Sequence, residues 1–284
     1  MPAEEERLDV RLREFLAEDI GGSDVTTEAT VPPGQAGRAE IVAKSDGVVS
    51  GLQVARRTFE LLDPGIHWDP DVRDGDRVTA GRRLARLSGP ARPILTGERV
   101  ALNLLQRMSG IATATRRYVD AVAGTSCRIL DTRKTAPGLR AFDRIAVRSG
   151  GGHNHRFSLS EMVLIKDNHR RLAGGVSRAV AAARGRSRPG MKIEVEVESE
   201  QDLREALEAG ADAILIDNQT PATVADWVAI VQRHSSRPTI EASGGITLEN
   251  VRAYALAGAD CVSVGALTHS VRAADVSLEL YADA

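Results

Sequence analysis

The stretch from Lys192 to Asp217, KIEVEVESEQDLREALEAGADAILID, decides the fold. Its first part alternates Ile193, Val195 and Val197 with Glu194, Glu196 and Glu198. That period of two predicts a strand over 192–197 with three carboxylates on one face. Residues 200–209 then place apolar side chains at helical spacing, and 213–217 return as an apolar, strand-like run. Strand, helix and strand in such quick succession predict a parallel pair joined by a right-handed crossover.

The same rhythm continues on both sides. Strand-like runs fall at 127–131, 162–166, 238–242 and 260–264, and helical patterns at 221–233 and 247–257. Gly-Ala-Asp recurs at 210–212 and 258–260. Repetition of this kind favours a closed or nearly closed α/β barrel over an open doubly wound sheet. Upstream the pattern differs. An amphipathic helix is predicted over 6–19, carrying Leu8, Leu12, Phe15 and Leu16, and Gly21-Gly22 stops it. Strands are predicted at 38–44 and 47–51, joined at Ser45-Asp46, and a helix from Gln53 to Leu62. A second strand pair is predicted at 72–78 and 83–87 around an Asp-Gly turn, and a long helical pattern over 96–123. Residues 38–87 thus read as a small α+β domain ahead of the barrel. Residues 74–89, DGDRVTAGRRLARLSG, resemble the turn region of biotinyl and lipoyl carriers, but no Met-Lys-Met motif surrounds Lys44.

Polar residues recur at the carboxyl end of every barrel strand. They are Asp131-Thr132-Arg133-Lys134, Lys166-Asp167-Asn168, Glu194 with Glu196 and Glu198, Asp217-Asn218, Glu241 to Gly245, and Gly265 with Thr268-His269. Each is costly to bury alone, and together they mark the rim where barrels keep their active sites. Residues 131–169 add a basic stretch with seven Lys and Arg against four acids, and with His153, His155 and His169. Gly150-Gly151-Gly152 sits in its middle, so it reads as a cationic, glycine-jointed loop suited to a multiply anionic ligand. Arg133, Lys134, His155, Arg156 and Lys166 are donors for carboxylates and phosphates. Glu196 and Asp217 are acceptors able to hold ribose hydroxyls or a magnesium ion bearing phosphates. For Glu194 and Glu198 the plainer alternative is a salt bridge to a strand-end lysine. Ser243-Gly244-Gly245 and Gly265-Ala266 precede helical starts and read as a monophosphate cradle, with a tight packing turn as the alternative.

Several classes are excluded. Net charge is −2 and aromatics are 3%, so neither a global field nor a stacking platform points to nucleic acid. No apolar run approaches the roughly 18–20 residues a membrane helix requires. The N-terminal MPAEEERLDVRLREFLAEDIGG is acidic and amphipathic, unlike a signal peptide, and Cys127 and Cys261 sit in apolar runs that fit a reducing cytoplasm.

The ordered motifs AEDIGGSDVTT (17–27), GERVALNLLQRMSGIAT (97–113), DTRKTAPGLR (131–140), GGGHNHR (150–156), LIKDNH (164–169), EVEVES (194–199), LIDN (215–218), EASGG (241–245) and VGALTHS (264–270) resemble the quinolinate phosphoribosyltransferase family. The resemblance implies an incomplete (open) α/β barrel over 111–269 and an N-terminal α+β sandwich over 1–110, completed by the tail 270–284. It implies a cytoplasmic homodimer or hexamer in which one subunit's sandwich covers its partner's barrel mouth. The implied reaction joins quinolinate to phosphoribosyl pyrophosphate with Mg2+, giving nicotinate mononucleotide, pyrophosphate and CO2 in NAD biosynthesis. Arg99 then reaches the partner's site to bind a quinolinate carboxylate. Arg133, His155 and Arg156 form the quinolinate pocket, with Thr132 a further substrate-binding residue and Lys134 and Lys166 between the pocket and the pyrophosphate. Glu196 and Asp217 hold ribose and magnesium, directly or through the pyrophosphate. Ser243, Gly244, Gly245, Val264, Gly265 and Ala266 cradle the 5′-phosphate, and His269 lies on the closing loop. Two departures, Phe157-Ser158-Leu159 and Gln219, fall near the expected pocket rim. They leave open a same-fold transferase acting on another pyridine or related carboxylate.

Overall fold

The computed structural model describes residues 2–282, so the last two positions of the tail lie outside the described residues. The chain forms two compact units. One holds the described residues up to Arg116, a middle segment Thr135–Gly151, and the tail from Ser270; the other holds Arg117–Lys134 and Gly152–His269. A boundary drawn at 110/111 alone assigns 135–151 to the barrel, whereas the chain folds that segment into the first unit.

The first unit contains helices α1 (Pro2–Ile20) and α2 (Val25–Thr30), strands β1 (Ala36–Ala43) and β2 (Gly47–Val48), and helix α3 (Leu52–Leu62). Strands β3 (His67–Pro70), β4 (Arg77–Val78) and β5 (Arg83–Pro90) follow, then most of helix α4 (Ala91–Ala121), helix α5 (Arg140–Ser149) and the last strand, β12 (Val276–Ala282). Its antiparallel sheet runs β12-β1-β5-β3. Ala39, Ile41 and Ala43 of β1 turn inward and meet Leu52 and Phe59 of α3, Leu84 and Leu87 of β5, and Ile94 and Leu105 of α4. Phe59 is fully buried, and a side chain of that kind stabilises by about 1.5–3 kcal/mol. The tail is held at Gly110, where an added Cβ would stand 3.0 Å from the Arg272 carbonyl carbon. Gln106 Nε2 then donates to the Val276 carbonyl at 2.8 Å, and β12 pairs along β1 with Ile41 opposite Leu278.

Two local expectations fail here. The runs at 38–44 and 47–51 do not pair with each other. Both edges of β1 are taken, by β5 and β12, and β2 pairs with β4 instead. Residues 72–76 are turn, not strand, because the Asp-Gly pair is used elsewhere: Asp74 Oδ1 accepts from the Leu52 N–H at 3.0 Å and caps α3. The basic stretch is likewise not all loop. It contains α5, whose Phe142, Ala146 and Val147 are buried and whose Asp143 takes both ends of the Arg107 guanidinium at 2.8 and 2.9 Å. Three arginines at helical spacing along it (Arg140, Arg144, Arg148) hide that apolar pattern in a linear reading.

The second unit is the parallel one. Strands β6 (Arg128–Leu130), β7 (Val163–Ile165), β8 (Ile193–Val197), β9 (Ala213–Asp217), β10 (Thr239–Ser243) and β11 (Cys261–Ser263) coincide with the predicted runs to within a residue or two. Between them stand α6 (Asp167–Ala173), α7 (Val176–Arg186), α8 (Glu200–Glu208), α9 (Pro221–Arg233), α10 (Val251–Leu256) and α11 (Ala266–His269). Of these, α6 and α7 were not foreseen. The 6-stranded order is β6-β11-β10-β9-β8-β7. First strand beside last is what closure of a barrel requires. Among the described residues β6 and β7 do not pair; the outer edge of β6 carries only a bridge from Leu130 to His153. The barrel is therefore open, and the opening falls where the chain leaves between β6 and β7. The Gly-Ala-Asp repeat has a physical reason. Asp212 Oδ2 accepts from the Ile193 N–H and Asp260 Oδ2 from the Ile240 N–H, each at 2.8 Å, so each aspartate ties the start of its strand to the neighbour's.

Candidate active site

All five residues of β8 are buried, yet two are glutamates. Ile193, Val195 and Val197 form the face that α7 and α8 cover, and alternation turns Glu194 and Glu196 inward. Above them the carboxyl ends of the strands enclose a cleft of about 490 Å³. That is within the range of small-ligand sites. Thr132, Arg133 and Lys134 line it from the end of β6, His155 and Arg156 from the segment after the bridge, and Lys166 from the end of β7. Glu196, Asp217, Ser243, Gly244 and Gly245 complete the set that the sequence brought forward. Val264, Gly265, Ala266 and His269 are outside this lining but adjoin it through Lys134. A Cβ at Gly265 would stand 3.1 Å from His269 Cδ2 and 3.2 Å from Lys134 Cδ, and Thr268 Oγ1 donates to the Lys134 carbonyl at 2.9 Å. Arg99 belongs to α4 in the other unit, with a side chain 60% exposed.

The cleft separates by charge. Lys166 Nζ lies 2.6 Å from Glu196 Oε2, and its backbone N–H donates to His169 Nδ1 at 3.0 Å, which fixes the strand end. Asp217 is held above the usual carboxylate range, first by burial and then by the charge of Glu196. Asn218 sits at φ 53 and donates from Nδ2 to Asp217 Oδ2 at 2.7 Å and from its backbone N–H to the Ser243 carbonyl at 3.0 Å. Its side chain fills the space that a Cβ on Gly244 would need, with Cγ 2.7 Å away, and Gly244 itself is at φ +87. The LIDN and EASGG motifs are thus one interlocked turn. Only glycine fits opposite the asparagine.

Beneath the cations lies a buried cluster that sequence reading left unassembled. Asp131 is fully buried and accepts from Asn154 Nδ2 at 2.6 Å and from the His155 N–H at 2.7 Å. His155 Nε2 is 3.0 Å from Glu194 Oε2 and 3.5 Å from Glu241 Oε2. Glu194 pairs with a histidine and Glu198 with Arg170 at 3.1 Å, in place of the alternative salt bridge to a strand-end lysine. Burial by itself depresses the imidazole, but the bond to Glu194 and the charge of Glu241 outweigh it and raise the pKa. Burial, then the charge of Glu194, pushes the Glu241 carboxyl up to about 7. Burial, then Arg133, lowers Arg156, whose Nη1 donates to the Met162 carbonyl at 2.8 Å. Glu241, already among the strand-end residues of the sequence reading, shares with Glu194 the inward parity of Ser243 and Glu196 and lines the cleft. The two departures do not enter the lining: Gln219 Nε2 donates to the Glu198 carbonyl at 3.2 Å, and the Phe157 N–H to Glu161 Oε2 at 2.5 Å.

Two donor sets could concern a metal. Glu196 and Asp217 offer only anionic oxygens, which suits a hard ion such as magnesium. Among the described residues, His155, Glu194 and Glu241 are the one trio of donors within 4.8 Å of one another. Their contacts are those of hydrogen bonds to a ring N–H, so no ion is needed to explain them.

Two family models match the chain. The quinolinate phosphoribosyl transferase N-terminal domain covers residues 24–109, and the C-terminal domain of the same name covers 111–279. The chain is 44% identical over 269 residues to a Bacillus subtilis (strain 168) protein named probable nicotinate-nucleotide pyrophosphorylase (carboxylating), covering 95% of this chain and 92% of that one. It is 44% identical over 278 residues to the Mycobacterium leprae (strain TN) nicotinate-nucleotide pyrophosphorylase (carboxylating), covering 95% of each. Among solved structures, NadC from Streptococcus pyogenes superposes with a TM-score of 0.93 at 38% identity, covering 98% of this chain and 97% of that one.

Proposed function

The chain belongs to the quinolinate phosphoribosyltransferase family, and from that membership and its cleft we propose that it converts quinolinate and phosphoribosyl pyrophosphate to nicotinate mononucleotide, pyrophosphate and CO2. The observation that carries the reading is the division of one cleft into cations (Arg133, Lys134, Arg156, Lys166) and acids (Glu196, Asp217). In the proposed reaction the pyridine nitrogen attacks C1′ and the bond from C1′ to the pyrophosphate oxygen breaks. Positive charge builds on the ribose as it does so. Glu196 and Asp217 stabilise that charge, and Lys134 and Lys166 hold the departing diphosphate. The 2-carboxylate then leaves as CO2; its bonding electrons pass into the cationic ring and C2 takes a proton. Thr132, Arg133, Arg156 and His155 line the acceptor side, and Ser243–Gly245 with the Val264–Ala266 turn serve the 5′-phosphate. No nucleophilic side chain is required, so the protein's work is orientation and charge stabilisation. Magnesium, held by Glu196 and Asp217 directly or through the substrate, would supply further charge to the diphosphate.

The proposal extends to assembly and location. The exposed Arg99 serves the partner's acceptor pocket in a homodimer or hexamer. An Arg99→Ala protein and a Lys166→Ala protein, each inactive alone, should then regain activity when mixed and exchanged; a mixture that exchanges subunits and stays inactive refutes the sharing. Two buried, free cysteines support a cytoplasmic setting, and no helix among the described residues is long and apolar enough to cross a membrane. The test of the reaction is turnover of purified protein with quinolinate, phosphoribosyl pyrophosphate and magnesium. CO2 and pyrophosphate should appear in equal amounts. Preference for nicotinate, or no turnover, overturns the reading.

A further inference from the structure

The His155 ring has both nitrogens engaged by the chain itself. The Arg156 backbone N–H donates to Nδ1 at 2.7 Å, so that nitrogen presents its lone pair and carries no proton. The proton is therefore on Nε2, where Glu194 Oε2 accepts it at 3.0 Å and Glu241 Oε2 stands at 3.5 Å. The two neighbouring acids favour an imidazolium, but a proton on Nδ1 would face the amide hydrogen head-on, and the amide contact decides for the neutral ring. Which nitrogen holds the proton is set by what the other one binds. The side chains of Glu194 and Glu241 are each 3% exposed, and that of His155 10%.

We propose that Glu194 is a positioning residue for the acceptor half of the reaction, acting through His155. Glu194 holds the ring by Nε2 with Glu241 Oε2 3.5 Å away, the ring holds the 155–156 peptide by Nδ1, and that peptide sets where the Arg156 guanidinium stands in the cleft. Asp131 grips the same segment from its other side, at the His155 N–H and the Asn154 amide. The ring Nε2–H of His155 is spent on Glu194, so recognition of the acceptor's carboxylates falls to the arginines, and the histidine determines their placement. This rests on the acceptor pocket being the quinolinate site.

The test uses the full-length protein and the variants Glu194→Ala and Glu194→Gln. For Glu194→Ala the KM for quinolinate should rise about tenfold or more, as expected for a displaced binding group, with the KM for phosphoribosyl pyrophosphate changed less than twofold. Glu194→Gln keeps an oxygen to accept the Nε2 proton and should recover most of the loss. Nitrogen-15 histidine spectra, with the His155 signals identified by their absence in His155→Asn, should show a protonated Nε2 and bare Nδ1 in the wild type and in Glu194→Gln. Mixed tautomers are expected in Glu194→Ala. A KM that rises equally for both substrates, or a His155 tautomer that Glu194→Ala leaves unchanged, overturns the proposal. If the wild type fails to turn over quinolinate, the functional reading falls alone, because the tautomer measurement still decides the positioning role.

Discussion

Replacing Glu196 by glutamine tests the proposed chemistry where its physics is most direct. The carboxylate is nearly buried, at 8% side-chain exposure, and Lys166 Nζ lies 2.6 Å from it, on a side chain 48% exposed. A full negative charge about 4 Å from a cationic ribose ring is worth roughly 4 kcal/mol at an effective dielectric near 20. Lys166 and the water that reaches it offset part of this, and halving the figure leaves about 2 kcal/mol as the lower bound. The amide preserves shape and still accepts from Lys166 but carries no charge. The predicted loss in kcat therefore spans about thirtyfold to a thousandfold. Because the ring charge exists only in the transition state, the loss should fall chiefly on kcat and the KM for quinolinate should change little. The assay is release of labelled CO2 from carboxyl-labelled quinolinate with both substrates saturating. A kcat within threefold of the wild type, or a loss confined to KM, refutes the placement of Glu196 beneath the sugar.

Three other predictions concern the scaffold. Gly244→Ala forces a side chain to φ +87 and onto the Asn218 amide; left-handed strain alone costs about 1–2 kcal/mol. It should raise the KM for phosphoribosyl pyrophosphate well above that for quinolinate, and equal KM values in steady-state kinetics would count against the cradle. Arg107→Ala strips the fully buried Asp143 of its bidentate partner, a loss of about 3–5 kcal/mol. Calorimetry should show a melting temperature lower by many degrees, and an unchanged one would mean that Asp143 is already neutral. The Glu241 carboxyl titrates near 7 in the fold against 4.5 for its ordinary value. The folded state thus binds the extra proton between those values, and stability falls as pH rises through that window, by about 3 kcal/mol at most. Urea unfolding at about pH 5 and about pH 8 should show this slope in the wild type and a flatter one in Glu241→Gln; identical slopes refute it.

The parallel half was legible because each of its elements announces itself locally. Apolar runs with a period of two, helical segments between them and Gly-Ala-Asp at two junctions need no distant information. Even the inward facing of Glu194 and Glu196 follows from alternation alone. The first unit was less legible. β1 looked like half of a hairpin with β2, but its edges belong to β5 and to β12, which pairs it with residues more than two hundred positions away. Asp74-Gly75 looked like a hairpin turn and instead caps α3.

From the sequence alone came the strand-end positions of Lys134, Lys166, Glu196, Asp217 and Ser243, since a carboxyl-terminal strand end is a local property and barrels gather such ends on one rim. Only the tertiary structure decided what those side chains touch. The pairing of Lys166 with Glu196, the wedge of Asn218 against Gly244, and the burial of His155 between Glu194 and Glu241 all join residues far apart in the chain. A hydrogen bond acts over about 3 Å of space, and no pattern along the chain measures that distance.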